Sequence, residues 1–213
     1  IVNFTTTDIE VGAEIYTAAE YCARIAGLLA GTPVSISETF APLPEVGEIT
    51  RLSKADADTA IDAGKLILVN DGVKVKVARG ATSLTTTSAG KPVDLKKIKI
   101  VETIDLIRYD LRLLCEDTYI GKLANSYDNK CVLVTAIREY LLGLESEGIL
   151  LSGHSVVEID VDAQRAYLIA QGVDVSKMSD DEVKKYNTGA AVFIKCVIGI
   201  LDAIEDITID IAY

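Results

Sequence analysis

The 213 residues allow one large domain or two modest ones, and 49% are hydrophobic, enough for a real core. Aromatic residues make up 6% and Trp is absent, a composition of packed helices and sheets rather than of a disordered scaffold. The net charge of −11 repels phosphate backbones and excludes nucleic acid as the expected partner. No signal peptide pattern opens the chain, and the longest apolar stretch, 190–201, is broken by Lys195 and too short for a bilayer, so no membrane association is expected. The sequence begins at Ile1 without Met and is expected to be a piece of a longer chain.

The first helical pattern covers 14–30, with Ala18, Cys22, Ile25 and Leu29 on one buried face. Gly31 and Pro33 end it. Residues 34–40 alternate apolar and small polar side chains and read as extended, until Pro42 and Pro44 break the pattern. Ser53 with Asp56 predicts a capped short helix ending near Ala63 and Gly64. A hairpin follows, 66–69 and 73–78, around the turn Asn70-Asp71-Gly72. Residues 80–92, rich in Thr, Ser and Gly, read as a solvated connector or domain boundary.

Two long helices come next. Val101, Ile104, Ile107, Leu111 and Cys115 form the stripe of the first, and Cys131, Val134, Ile137, Leu141 and Leu144 that of the second. Gly148 and Ile149 fit a Schellman ending. Residues 156–159 read as a strand, and Asp160 caps a helix running to Ala170. Ser179 caps another over 180–186. Residues 191–201 and 206–213 read as strands.

The inventory for chemistry is poor. Cys22, Cys115, Cys131 and Cys196 are far apart and flanked by apolar residues, as expected of reduced core cysteines. The one histidine, His154, stands in Ser152-Gly153-His154-Ser155, where adjacent residues do not build a nucleophile held against its base. Glu158, Asp160 and Asp162 alternate and could share one strand face, but the glycine and glutamate of a calcium loop are missing. Neither a phosphate loop nor a dinucleotide fingerprint is present. No catalytic, cofactor-binding or metal-binding residue is therefore expected. The alternative is a hydrolase or other enzyme whose site is completed by upstream sequence.

The stretch TAAEYCARIAGLLAGTPVSISETFAPLPEV at 17–46 resembles a segment of phage tail sheath proteins. The resemblance continues through GKLILVNDGVKVKVARGATSLTTT at 64–87 and KKIKIVETIDLIRYD at 96–110. It extends over IGKLANSYDNK at 120–130, VEIDVDAQRAYL at 157–168 and ILDAIEDITIDIAY at 200–213. The sheaths it is most similar to are those of phages, defective prophages and phage-tail-like bacteriocins of Gram-positive bacteria. The resemblance implies a mixed α/β (α+β) fold in which residues 1–93 end a subtilisin-like α/β domain without a working triad. Residues 94–213 would form a C-terminal α+β domain with paired long helices and a small sheet.

The function implied is structural: a homo-oligomeric subunit of stacked rings around an inner tail tube, contracting by subunit rearrangement. Baseplate and tail terminator proteins are the other implied partners, and the virion tail, assembled in the host cytoplasm, is the implied location. Ile207, Ile209, Ile211 and Tyr213 fall on one face of the last segment, and Asp206, Thr208 and Asp210 on the other. By pattern alone this strand belongs to its own sheet or to a neighbour's edge; the resemblance favours the neighbour. Lys184 and Lys185 are candidates to face the tube.

Overall fold

A computed structural model describes residues 1–90 and 92–212. The chain divides into two units, the first made of 1–105 with 202–213 and the second of 106–201. The fold is mixed α/β, with several helices and small antiparallel sheets.

In the first unit, β1 (Ile9–Val11) and β2 (Glu14–Tyr16) form a hairpin, pairing Ile9 with Tyr16. This pairing takes residues 14–16 out of the expected helix. The helix α1 (Ala18–Gly31) begins after Thr17, whose hydroxyl accepts from the Glu20 N–H while the Glu20 carboxylate accepts from the Thr17 N–H. Tyr21 and Ile25 are its buried residues, with Leu28 and Leu29 partly buried; Cys22 points outward and is exposed. The expected face holds at Ala18, Ile25 and Leu29, and Tyr21 takes the place of Cys22 in it.

α2 (Lys54–Asp62) is capped by Ser53 as expected, and ends at Ala63 and Gly64. Gly64 has φ of +70° and its α-carbon lies so close to the Ser83 backbone that a Cβ would come within 2.9 Å of it. Here a side chain is excluded twice over.

β3 (Leu68–Asn70) and β4 (Val75–Val77) form the expected hairpin, with Asp71 Oδ1 accepting from the Val73 and Lys74 N–H groups at the turn. Residues 34–40 hold turns rather than an extended run. Backbone pairing starts later: Phe40 N–H donates to Val77, Val77 N–H to Ala41, and Leu43 N–H to Val75. Ile9, Leu43, Leu66, Leu68, Val75 and Val77 make the centre of this core, closed by Tyr21 and Ile25.

α3 (Ile98–Leu114) follows a short 3₁₀ turn and ends in a π-helical turn, 115–119, where Ile120 N–H reaches back to Cys115. α4 (Tyr127–Ser146) buries Ile137, Leu141 and Leu144 as its stripe predicts, but Lys130 and Leu133 are buried where Cys131 and Val134 are only half-buried; it packs on β5 (Val156–Ile159). Ile149 N–H donates to Leu144 and Gly148 N–H to Glu145, the expected Schellman ending, with Gly148 at φ +71°.

β5 pairs antiparallel with β6 (Ile194–Val197), Val156 opposite Val197. The pairing is prolonged by Leu151 to Gly199, Leu201 to Ile149 and Asp160 to Phe193 bonds. α5 (Val161–Ala170) starts at Asp160, whose Oδ1 accepts from Ala163 N–H at 2.8 Å, and α6 (Asp180–Lys185) starts at Ser179. Leu168, Val175 and Val183 form the core between them.

Among the described residues no helix is long and apolar enough to cross a membrane. The cysteines are unbonded, but they are not core residues: Cys22 and Cys196 are exposed, and Cys115 and Cys131 half-buried. Apolar flanks in sequence do not decide which way a helical residue faces.

Candidate assembly surface

Residues 201–212 carry no strand, so the expectation of a strand over 206–213 is not met within the chain itself. Ile207, Ile209 and Ile211 are 74%, 76% and 81% exposed, and Tyr213 lies outside the described residues. Among the described residues, 207–212 make no hydrogen bond to the rest of the chain. An ordinary internal strand would bury one face; this segment buries neither.

The β5–β6 sheet is the complementary feature. Among the described residues it has two strands, so each has an edge without a strand partner. Val157 and Ile159 face the core, while Val156 and Val197, paired across the sheet, are 46% and 49% exposed. The outer face thus offers apolar contact beside strand edges of which one carbonyl, that of Val157, already accepts from Arg138 Nη2 at 3.1 Å.

Lys184 and Lys185 close α6. Lys184 Nζ lies 3.9 Å from Asp181, and Lys185 Nζ stands 5.7 Å over the Tyr127 ring. Both have access to solvent. Behind α6, Lys130 is buried against neutral oxygens: Gln164 Oε1 and the Tyr186 carbonyl at 3.4 Å, and Thr188 Oγ1 at 3.3 Å. Burial pushes its ammonium pKa down. Sequence reasoning missed this lysine, because only packing puts α4, α5 and the chain after α6 around one side chain.

Ser152 and His154 are exposed in the turn before β5, whose Gly153 and Ser155 N–H groups donate to the Glu145 carboxylate at 2.9 and 3.0 Å. Asp160 is engaged as a helix cap, while Glu158 lies on β5 and Asp162 in the first turn of α5. Among the described residues no group of three His, Cys, Asp or Glu side chains is placed to hold a metal ion.

The fold is that of contractile-tail sheath proteins. A sheath tail protein of Listeria innocua superposes with a TM-score of 0.66 at 22% identity, over 77% of this chain and 40% of that one. The helical sheath of the anti-feeding prophage in its contracted state gives 0.68 at 15% identity, over 99% of this chain and 55% of that one. Residues 91–213 match the phage tail sheath C-terminal domain family. The tail sheath protein of Clostridium phage phiCD119 is 42% identical over 209 residues, 98% of this chain. The chain belongs to the phage tail sheath family. It spans 58% of the length of that curated relative.

Proposed function

We propose that this chain is the C-terminal part of a structural subunit of a contractile tail sheath, which polymerises as stacked rings around an inner tube and contracts as its subunits rearrange. The observation that carries the reading is the segment 207–212, with three alternating isoleucines exposed and, among the described residues, no strand partner. Such a segment gains by adding to the open edge of the β5–β6 sheet in the next subunit. Main-chain hydrogen bonds then hold the link while subunits rotate, and each buried isoleucine adds roughly 1.5–3 kcal/mol. A one-residue slip would turn the isoleucines to solvent, so the apolar face also sets the register.

Residues 1–93 are assigned as the end of a subtilisin-like domain without a working triad, and 94–213 as the C-terminal sheath domain. The family match beginning at residue 91 favours that boundary, whereas the compact units divide between 105 and 106 and leave 202–213 with the first. The end of α6, with Lys184 and Lys185, is assigned to the inner tube. Baseplate and terminator proteins complete the partners, in a virion tail assembled in the host cytoplasm; no catalysis or cofactor is involved.

Removing 207–213 from the complete protein tests the assignment. The expected product is a folded monomer that does not polymerise. Normal contractile sheaths from the truncated protein would overturn the assignment, as would loss of folding.

A further inference from the structure

The isoleucines of 207–212 are exposed, but the residues just before them are held tightly. Lys97 Nζ pairs with Asp202 and lies 3.0 Å from Glu205 Oε2. Ser37 and Thr39 both donate a hydroxyl proton to Glu205 Oε1, at 2.8 and 2.5 Å. Arg79 grips Asp206 with both Nη atoms, at 3.1 and 2.5 Å, and its Nη1 stands 3.7 Å from Glu205 Oε2. The Glu205 side chain is 3% exposed, against 79% for Asp206. From Ile207 on, no such attachment is found among the described residues.

We propose that Ser37, Thr39, Arg79 and Lys97 form a clamp on Asp202, Glu205 and Asp206 that fixes where the assembly arm leaves its subunit, so that the arm pivots at 206–207. The inference rests on the reading of 207–212 as an intersubunit strand. A buried carboxylate is costly unless its charge is met: Glu205 Oε1 receives two hydroxyls from 37–39, and its Oε2, which has no hydrogen bond, has the Lys97 ammonium 3.0 Å away, so two separate stretches of the first unit meet at it. Such a seat specifies one position of the chain. Its use follows from reach, because the six residues 207–212 span at most about 20 Å when extended. An arm rooted at one point samples a small volume, which raises its effective concentration at a neighbouring sheet edge. A loose root would dilute it and add ordering cost to every contact. The same seat would receive the pull on the arm during contraction.

The test uses the complete, unassembled protein with Glu205→Gln, with Asp206→Arg, and with Asp206→Arg combined with Arg79→Asp. Elastase cleavage after Ala203 and Ile204 reports the root, and cleavage after Ile207 and Ile209 in the same sample reports the arm. Both single variants are expected to speed root cleavage at least tenfold, leave arm cleavage unchanged, and raise the protein concentration needed for polymerisation. The double variant restores the pair and both readouts. Salt is expected to loosen the exposed Asp206 pair before the buried Glu205 seat. Unchanged root cleavage in the single variants overturns the clamp, and faster root cleavage with unchanged polymerisation overturns its role in assembly. In protein lacking 207–213 the root stays protected whether or not sheaths form, so failure of the arm reading has its own signature.

Discussion

Glu38 and Glu205 make opposite demands on a proton. Glu38 is buried with its Oε2 unpartnered. Burial, its own backbone N–H acting the other way, and the charges of Glu102 and Glu205 leave its pKa above the usual 4.5, despite the nearby Lys99. Burial acts on Glu205 too, but the Thr39, Lys97 and Ser37 contacts outweigh it and hold its pKa below 4.5. The signs follow from linkage. The cost of Glu38 is absent below the unfolded pKa and develops as pH rises through its raised folded value. Glu38→Gln is therefore expected to stabilise by about 1 kcal/mol at pH 7 and by nothing below pH 4, measured by urea unfolding. The contribution of Glu205 is present above pH 4.5 and lost as pH falls through its lowered value. Glu205→Gln should destabilise by on the order of 3 kcal/mol at neutral pH and converge with the parent protein in acid. Neither residue was legible in the sequence. Glu205 is one acid among many until Ser37, Thr39 and Lys97 are brought to it from afar, and Glu38 is one until folding buries it beside Glu102 and Glu205.

Helix ends were the most legible elements, because a cap is a contact across three residues. Ser53, Asp160 and Ser179 cap as their spacing predicts, and Gly148 ends α4. Asp160→Ala is expected to cost about 1 kcal/mol in unfolding free energy and Asp160→Asn only a few tenths, since Asn still accepts from the Ala163 N–H. Equal losses in both variants would mean that the charge, not the cap, matters there. The start of α1 was misjudged although Thr17-x-x-Glu20 is a capping box written in the sequence. Helical periodicity ran on into residues 14–16, which pair with β1 instead. On the buried face only Cys22 was misplaced, where Tyr21 is buried instead.

At the scale of the whole molecule the surface, not a cavity, is the candidate site. Reversing the charge of Lys184 and Lys185 together should weaken co-sedimentation with inner tubes at low salt, and the difference should fade as salt is raised. Unchanged co-sedimentation at low salt would remove these lysines from the tube interface. The sequence by itself determined the mixed fold class, the hairpin at Asp71-Gly72, the capped helices and the family, since these rest on local spacing or on the order of many short segments. It also showed that 207, 209 and 211 share a face. Only the tertiary structure decided that, among the described residues, this face has no strand partner, that Glu205 and Asp206 before it are held by Ser37, Thr39, Arg79 and Lys97, and that β5 and β6 pair only with each other. Pairing and burial join residues more than a hundred positions apart, and no local pattern records whether the other half of a contact lies in the same chain.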